Sequence, residues 1–187
     1  MPLTTLDPKT ALVVIDLQKG IMSYSTTPPL AEVVKQAAGL TAAFRRHHLP
    51  VVLVNALGGA PGRAEQARRL TQLPPDFGHL LPELNQQPDD HLVTKRTWGA
   101  FTNTNLDAYL KKQGVTQVVV CGVATSIGVE STARHAHEHG YHVTLAIDAM
   151  SDMSPEAHAN SLTRIFPRLG ETGTSAEIIA LLDKSRA

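Results

Sequence analysis

Three places along the chain carry residue types that could do chemistry together. Asp16 directly follows an apolar run, Thr10–Ile15; Lys95 closes another, His91–Lys95; and the turn Gly122–Gly128 separates a β-branched run from a helical one. A carboxyl group gives or takes a proton, and an ammonium group orients it or holds an anion. A turn that opens a helix presents backbone N–H groups to an oxygen. Thr125 and Ser126 add two hydroxyls, but no histidine base stands beside them in the sequence and both are good N-cap residues, so capping is their expected work. Cys121 lies inside the apolar run, seven residues before Gly128. A cysteine so placed is expected to be buried and unreactive.

Each candidate also has a plainer role. Asp16 at a strand end can cap local backbone N–H groups, and Lys95 can form an ion pair with Asp16 that is only structural. Gln18 either shapes a pocket or hydrogen-bonds a loop. Trp98 and Phe101, just past Lys95, either wall a pocket for a ring-shaped substrate or pack in the core.

The elements that must position these groups alternate between strand and helix. The Val118–Cys121 run is bounded by Gly122 and reads as a strand buried on both faces; Val129–His139 follows as a helix closed by Gly140, and Tyr141–Ile147 as a second strand ending in Asp148. This is the sequence form of a parallel βαβ crossover. Thr10–Ile15, Pro50–Leu57 and His91–Lys95 read as further strands, and a short one is expected near Glu171–Thr172. Apolar spacing from Leu30 to Phe44 predicts a helix, with others over Asn105–Lys112, Ala157–Phe166 and Ser175–Asp183. The fold class that follows is α/β: a three-layer α/β/α sandwich around a parallel, Rossmann-like sheet of about six strands, in a single domain spanning residues 1–187. In such sheets ligands collect at the carboxyl ends of the strands, which is where Asp16, Lys95 and the turn all fall. Residues 58–90, rich in Gly, Pro and Gln with one short helical candidate at Ala64–Leu73, read as a lid, a binding loop or an oligomer contact.

Composition narrows the partners. The 187 residues carry 17 Lys+Arg against 17 Asp+Glu, so no global charge points to nucleic acid or an anionic membrane surface, and a small-molecule substrate is the expected partner. No apolar run approaches the length of a bilayer span and no basic-plus-apolar leader is visible, so the expected location is the cytoplasm. One cysteine excludes an internal disulfide. The stretch after the second strand, Gly58–Gly62, offers no metal ligand, and no catalytic metal or other cofactor is expected.

Asp16 after its strand, Lys95 followed by Trp98-Gly-Ala-Phe101, and the run GVATSIGVESTARHA resemble the isochorismatase-like hydrolase superfamily over nearly the whole chain, from about Thr10 onward. The resemblance implies a homodimer or homotetramer, and a non-proline cis peptide at Val123–Ala124 that would help the N–H groups near Ala124 and Gly128 cradle a substrate oxygen. It further implies Asp16 and Lys95 as catalytic residues and Gly128 at the place where cysteine hydrolases of the superfamily carry their nucleophile. Gln18, Trp98, Phe101, Ala124, Thr125 and Ser126 are the expected substrate contacts. Isochorismatases proper likewise show glycine at that place while keeping the Asp and the Lys. Ser126 stands where they show His, and Gly99 where Ser is usual.

Without a thiolate the covalent acyl-enzyme route to amides is closed. What remains is acid catalysis: an enol ether is cleaved by protonation of its terminal carbon, which requires a carboxyl group that holds its proton near neutral pH. Burial of Asp16 would raise its pKa and Lys95 would lower it. Asp16 is thus the expected general acid, Lys95 its orienting partner or an anchor for a substrate carboxylate, and Gly128 the residue that makes room for the ring. The alternative is a binding or assembly protein that keeps the pocket of a cysteine hydrolase without its reaction.

Overall fold

The computed structural model describes residues 3–65 and 73–185. Six strands form one parallel sheet: β1 (Thr10–Ile15), β2 (Val51–Ala56), β3 (His91–Lys95), β4 (Gln117–Val123), β5 (His142–Ser151) and β6 (Glu171–Gly173), in the order β3-β2-β1-β4-β5-β6. β1 lies in the middle, paired with β2 on one side and β4 on the other. Every residue of β1 and β4 is buried, as a strand covered on both faces requires.

Alternate residues of the strands feed two cores. Leu12, Val14 and Leu53 join the apolar stripe of α1 (Leu30–Arg46), with Ile178 and Leu182 of α6 (Ser175–Ser185). Val13, Ile15, Val52 and Val54 meet α2 (Leu106–Lys112) and α3 (Glu130–Glu138) through Leu106, Leu110, Ala133 and Ala136. The result is the three-layer α/β/α sandwich.

Three boundaries differ from those the sequence predicts. The helix expected from Val129 is preceded by a π-helical turn, Thr125–Val129, whose wider winding brings Gly128 to the strand edge. β5 continues to Ser151, past the expected end at Ile147, because its register against β4 shifts between Val120 and Gly122. The extra residues lie on β5, where 146–149 stand between the partners of Val120 and Gly122; Gly122 itself takes φ +114°, and a Cβ there would run into the backbone carbonyl of Ile15 on β1. The expected helix Ala157–Phe166 is divided into α4 (Pro155–Asn160), a π-helical turn at Ser161–Ile165 and α5 (Phe166–Leu169). Of the expected helix Ala64–Leu73, residues 66–72 lie outside the described residues; the rest of that connection carries one short 3-10 turn, Pro82–Leu84.

Candidate active site

Asp16 and Lys95 meet. Their strands are separated in the sheet by β2, so the two backbones stand two strand spacings, about 10 Å, apart. The long aliphatic stem of lysine spans that gap, and Nζ donates to Asp16 Oδ2 at 2.7 Å and to the Thr97 carbonyl at 3.2 Å. Asp16 takes a left-handed conformation, φ +53°, which aspartate tolerates better than most residues and which turns its side chain off the end of β1. The lysine side chain is 3% exposed and that of Asp16 13%.

The pair is held out of water, and its electrostatics follow from that. Asp16 Oδ1 is buried with no hydrogen-bond partner. Burial pushes the carboxyl pKa up from 3.8 to about 6, against the opposing pull of Lys95. The competition that composition and motif leave open is therefore won by desolvation, and the carboxyl group holds a proton into the near-neutral range.

Gly128 faces this carboxyl group directly. A Cβ on Gly128 would lie 3.4 Å from Asp16 Oδ2, 3.0 Å from Ile15 Cγ2 and 3.1 Å from the Val123 carbonyl. The space beside the glycine is bounded by Ile15 and Asp16, and without a side chain at 128 nothing of this residue stands between the turn's backbone and the carboxyl group. The Val123–Ala124 peptide just before the turn is cis.

The other candidates divide by their partners. The Gln18 carboxamide donates to the carbonyls of Ala56 and Phe77 and accepts from the Ala56 N–H, so it clamps the end of β2 to the 73–80 segment. Thr125 is fully buried, with Oγ1 2.8 Å from His158 Nδ1. Ser126 donates from N and Oγ to Asp152 Oδ2, at 2.7 and 2.8 Å. The N–H groups of Ile127 and Val129 close onto the Ala124 carbonyl. Ala124 itself is partly buried, at the junction of β4 and the turn. Phe101 packs in the second core, its ring against His139 and Tyr141, whereas Trp98 is 61% exposed. Cys121 is buried within β4 and its thiol pKa is pushed by that burial to about 12.

Sequence reasoning did not single out Asp152 and His158. The available signal was the pair of hydroxyls at Thr125 and Ser126: if both enter a buried turn, each needs a partner, and a strand ending beside that turn is the place to seek one. Among the described residues no group of three or more His, Cys, Asp or Glu is placed to hold a metal ion, and no helix is long and apolar enough to cross a membrane.

Comparison with known proteins shows the family and the fold. The profile of the isochorismatase domain matches residues 10–177. The isochorismatase family protein YwoC of Bacillus subtilis (strain 168) is 42% identical over 178 residues, covering 91% of this chain and 93% of that protein. YecD of Escherichia coli O157:H7, of the same family, is 41% identical over 182 residues, 92% of this chain and 96% of its own length. A solved isochorismatase family structure from Burkholderia thailandensis superposes with a TM-score of 0.92 at 41% identity, covering 96% of this chain and 98% of that one.

Proposed function

The chain belongs to the isochorismatase family of hydrolases, and on that premise we propose that it cleaves a small enol ether of the isochorismate type by acid catalysis, with Asp16 as the proton donor. One observation carries the reading: the carboxyl group that faces the nucleophile position is mostly buried, keeps one oxygen without a partner and has a pKa raised to about 6 although a lysine stands 2.7 Å away. An acid of that strength is suited to general acid catalysis near neutral pH.

The proposed sequence of events begins with Asp16, whose proton passes to the terminal vinyl carbon. The C=C electron pair forms the new C–H bond, and a lone pair of the ether oxygen stabilises the adjacent carbon as an oxocarbenium ion. Water adds to that carbon and gives one proton to the Asp16 carboxylate. The hemiketal then collapses: its hydroxyl becomes a ketone, the ether C–O bond breaks, and the hydroxyl proton passes to the departing alkoxide, leaving a keto acid, an alcohol and a re-protonated Asp16. Lys95 fixes the orientation of the carboxyl group through Oδ2. Gly128 contributes close backbone and no nucleophile.

The test is a pyruvate-release assay with isochorismate, beside an amide panel that includes nicotinamide, on the wild type, Asp16→Ala and Gly128→Cys. Pyruvate release by the wild type and its loss in Asp16→Ala is the expected result. Silence of the wild type on every substrate, with amidase activity arising only in Gly128→Cys, would reject the proposal and assign the chain a binding role on a cysteine-hydrolase scaffold.

A further inference from the structure

The turn that carries Gly128 does not hold its place through its own sequence alone. β5 overruns its expected end and delivers the segment 152–158 against the turn, which it grips at two adjacent residues. Asp152, 2% exposed, accepts from Ser126 N at 2.7 Å and Ser126 Oγ at 2.8 Å, while its other oxygen accepts from Ser154 N at 3.1 Å. The backbone of Asp152 is in turn bridged to Thr27. One residue before Ser126, the hydroxyl of Thr125 lies 2.8 Å from His158 Nδ1.

A hydroxyl beside an imidazole also has the form of a nucleophile and its base. Burial decides against that here: Thr125 is 0% exposed, so its oxygen offers no approach to a substrate carbon. Position in the fold decides for another role. Thr125 opens the π-helical turn and Gly128 lies three residues on, within it, where a Cβ would stand 3.4 Å from Asp16 Oδ2. A contact that fixes the start of the turn therefore fixes how closely Gly128 covers the acid.

We propose that His158 is a positioning residue that acts through the Thr125 hydroxyl, holding the Gly128 turn against Asp16 so that the acid stays dry. The assignment rests on the reading of Asp16 and the turn as the reacting site. Burial draws the pKa of His158 below its ordinary value, with Asp152 opposing, which favours a neutral ring, and in the tautomer with its hydrogen on Nε2 the Nδ1 atom accepts from the Thr125 hydroxyl. In that form the contact ties one defined atom of the ring to one defined hydroxyl. Asparagine can reproduce an Nδ1 contact, since its carboxamide atoms branch from the same Cγ; glutamine reproduces the Nε2 position and loses it.

That difference provides the experiment. Amide hydrogen exchange at Ile127 and Val129, the titration midpoint of Asp16 followed by 13C NMR of its carboxyl carbon, and the melting temperature are measured in the wild type, His158→Asn, His158→Gln and Thr125→Val. In His158→Gln and Thr125→Val, exchange at Ile127 and Val129 should rise by about tenfold or more as the turn loosens. The Asp16 midpoint should fall by about one unit as water reaches the carboxyl group. His158→Asn should stay close to the wild type in both. Asn and Gln variants that behave alike, or a lower melting temperature with exchange and midpoint unmoved, would overturn the proposal and leave His158 as packing. A wild-type midpoint in the ordinary carboxylate range would instead reject Asp16 as the acid, and unchanged exchange at Ile127 and Val129 in His158→Gln would still reject the positioning role of His158 by itself.

Discussion

Removing Lys95 while following the reaction across pH tests the electrostatic argument most sharply. With Asp16 titrating at about 6, the protonated fraction is about half at pH 6, about one in ten at pH 7 and about one in a hundred at pH 8. If that proton is the one transferred, the rate on an enol-ether substrate should fall about tenfold per pH unit above the midpoint. Lys95 lowers this pKa, so Lys95→Met should raise it further and move the falling limb toward higher pH, while the rate on the acid side drops because Oδ2 loses its orienting partner. The same shift enters stability with a definite sign. A carboxyl group raised on folding favours the folded state below its unfolded value, near 3.8, and that contribution is lost as pH rises through about 6; two units correspond to at most about 3 kcal/mol. The assay is pyruvate release from pH 5 to 8 for the wild type and Lys95→Met, with the Asp16 carboxyl carbon titrated by NMR in both. A flat or rising wild-type profile, or a limb that moves to lower pH in Lys95→Met, would refute the reasoning.

Two further substitutions test how the surrounding chain holds the site. Gln18→Ala removes three hydrogen bonds that tie β2 to the 73–80 segment, and at about 1 kcal/mol each the loss should be about 2–4 kcal/mol in urea unfolding; a loss below about 1 kcal/mol would mean that water replaces the clamp. Gly99→Ser should cost about 1–3 kcal/mol, since a Cβ there would stand 2.6 Å from His135 Nδ1, and His135→Ala should recover most of it. Additive effects in that double-mutant cycle would show that the two positions are independent.

That last pair also shows where sequence reading reaches its limit. The departure at Gly99 is visible as a motif mismatch, but its reason is a histidine 36 positions on, on a helix that packs over the loop. That Asp16 and Lys95 share one edge of the sheet was legible because both stand at the ends of strands of a parallel sheet and both fall in the family's motifs; strand-end position alone left each with a structural role as well. Their separation across β2 depends only on strand order and the length of a lysine. Gln18 was not legible, because its two roles differ only in which backbone lies nearby. Trp98 and Phe101 share one motif and part company in space, one exposed and one in the core, because a surface loop follows no periodicity. Asp152 and His158 were missed because β5 runs four residues beyond its apolar signal, through an irregularity between Leu145 and Met150 that shifts its register against β4.

The glycine at 128 and the raised pKa of Asp16 then belong to one argument. A side chain at 128 would place further atoms within van der Waals distance of Oδ2, and a thiol there would have a carboxylate as its neighbour. Acid chemistry needs that carboxyl group protonated, whereas activation of a thiol needs it as a charged acceptor or orienting group. Closing the site with bare backbone withholds solvent from Asp16 without supplying a new hydrogen-bond donor, so burial outweighs the single lysine. What the turn contributes is thus exclusion of water, and that depends on how firmly it is held. The groups that hold it, Asp152 and His158, come from beyond the catalytic motifs, and on this argument the strength of the acid is set as much by the end of β5 as by Asp16 and Lys95 themselves.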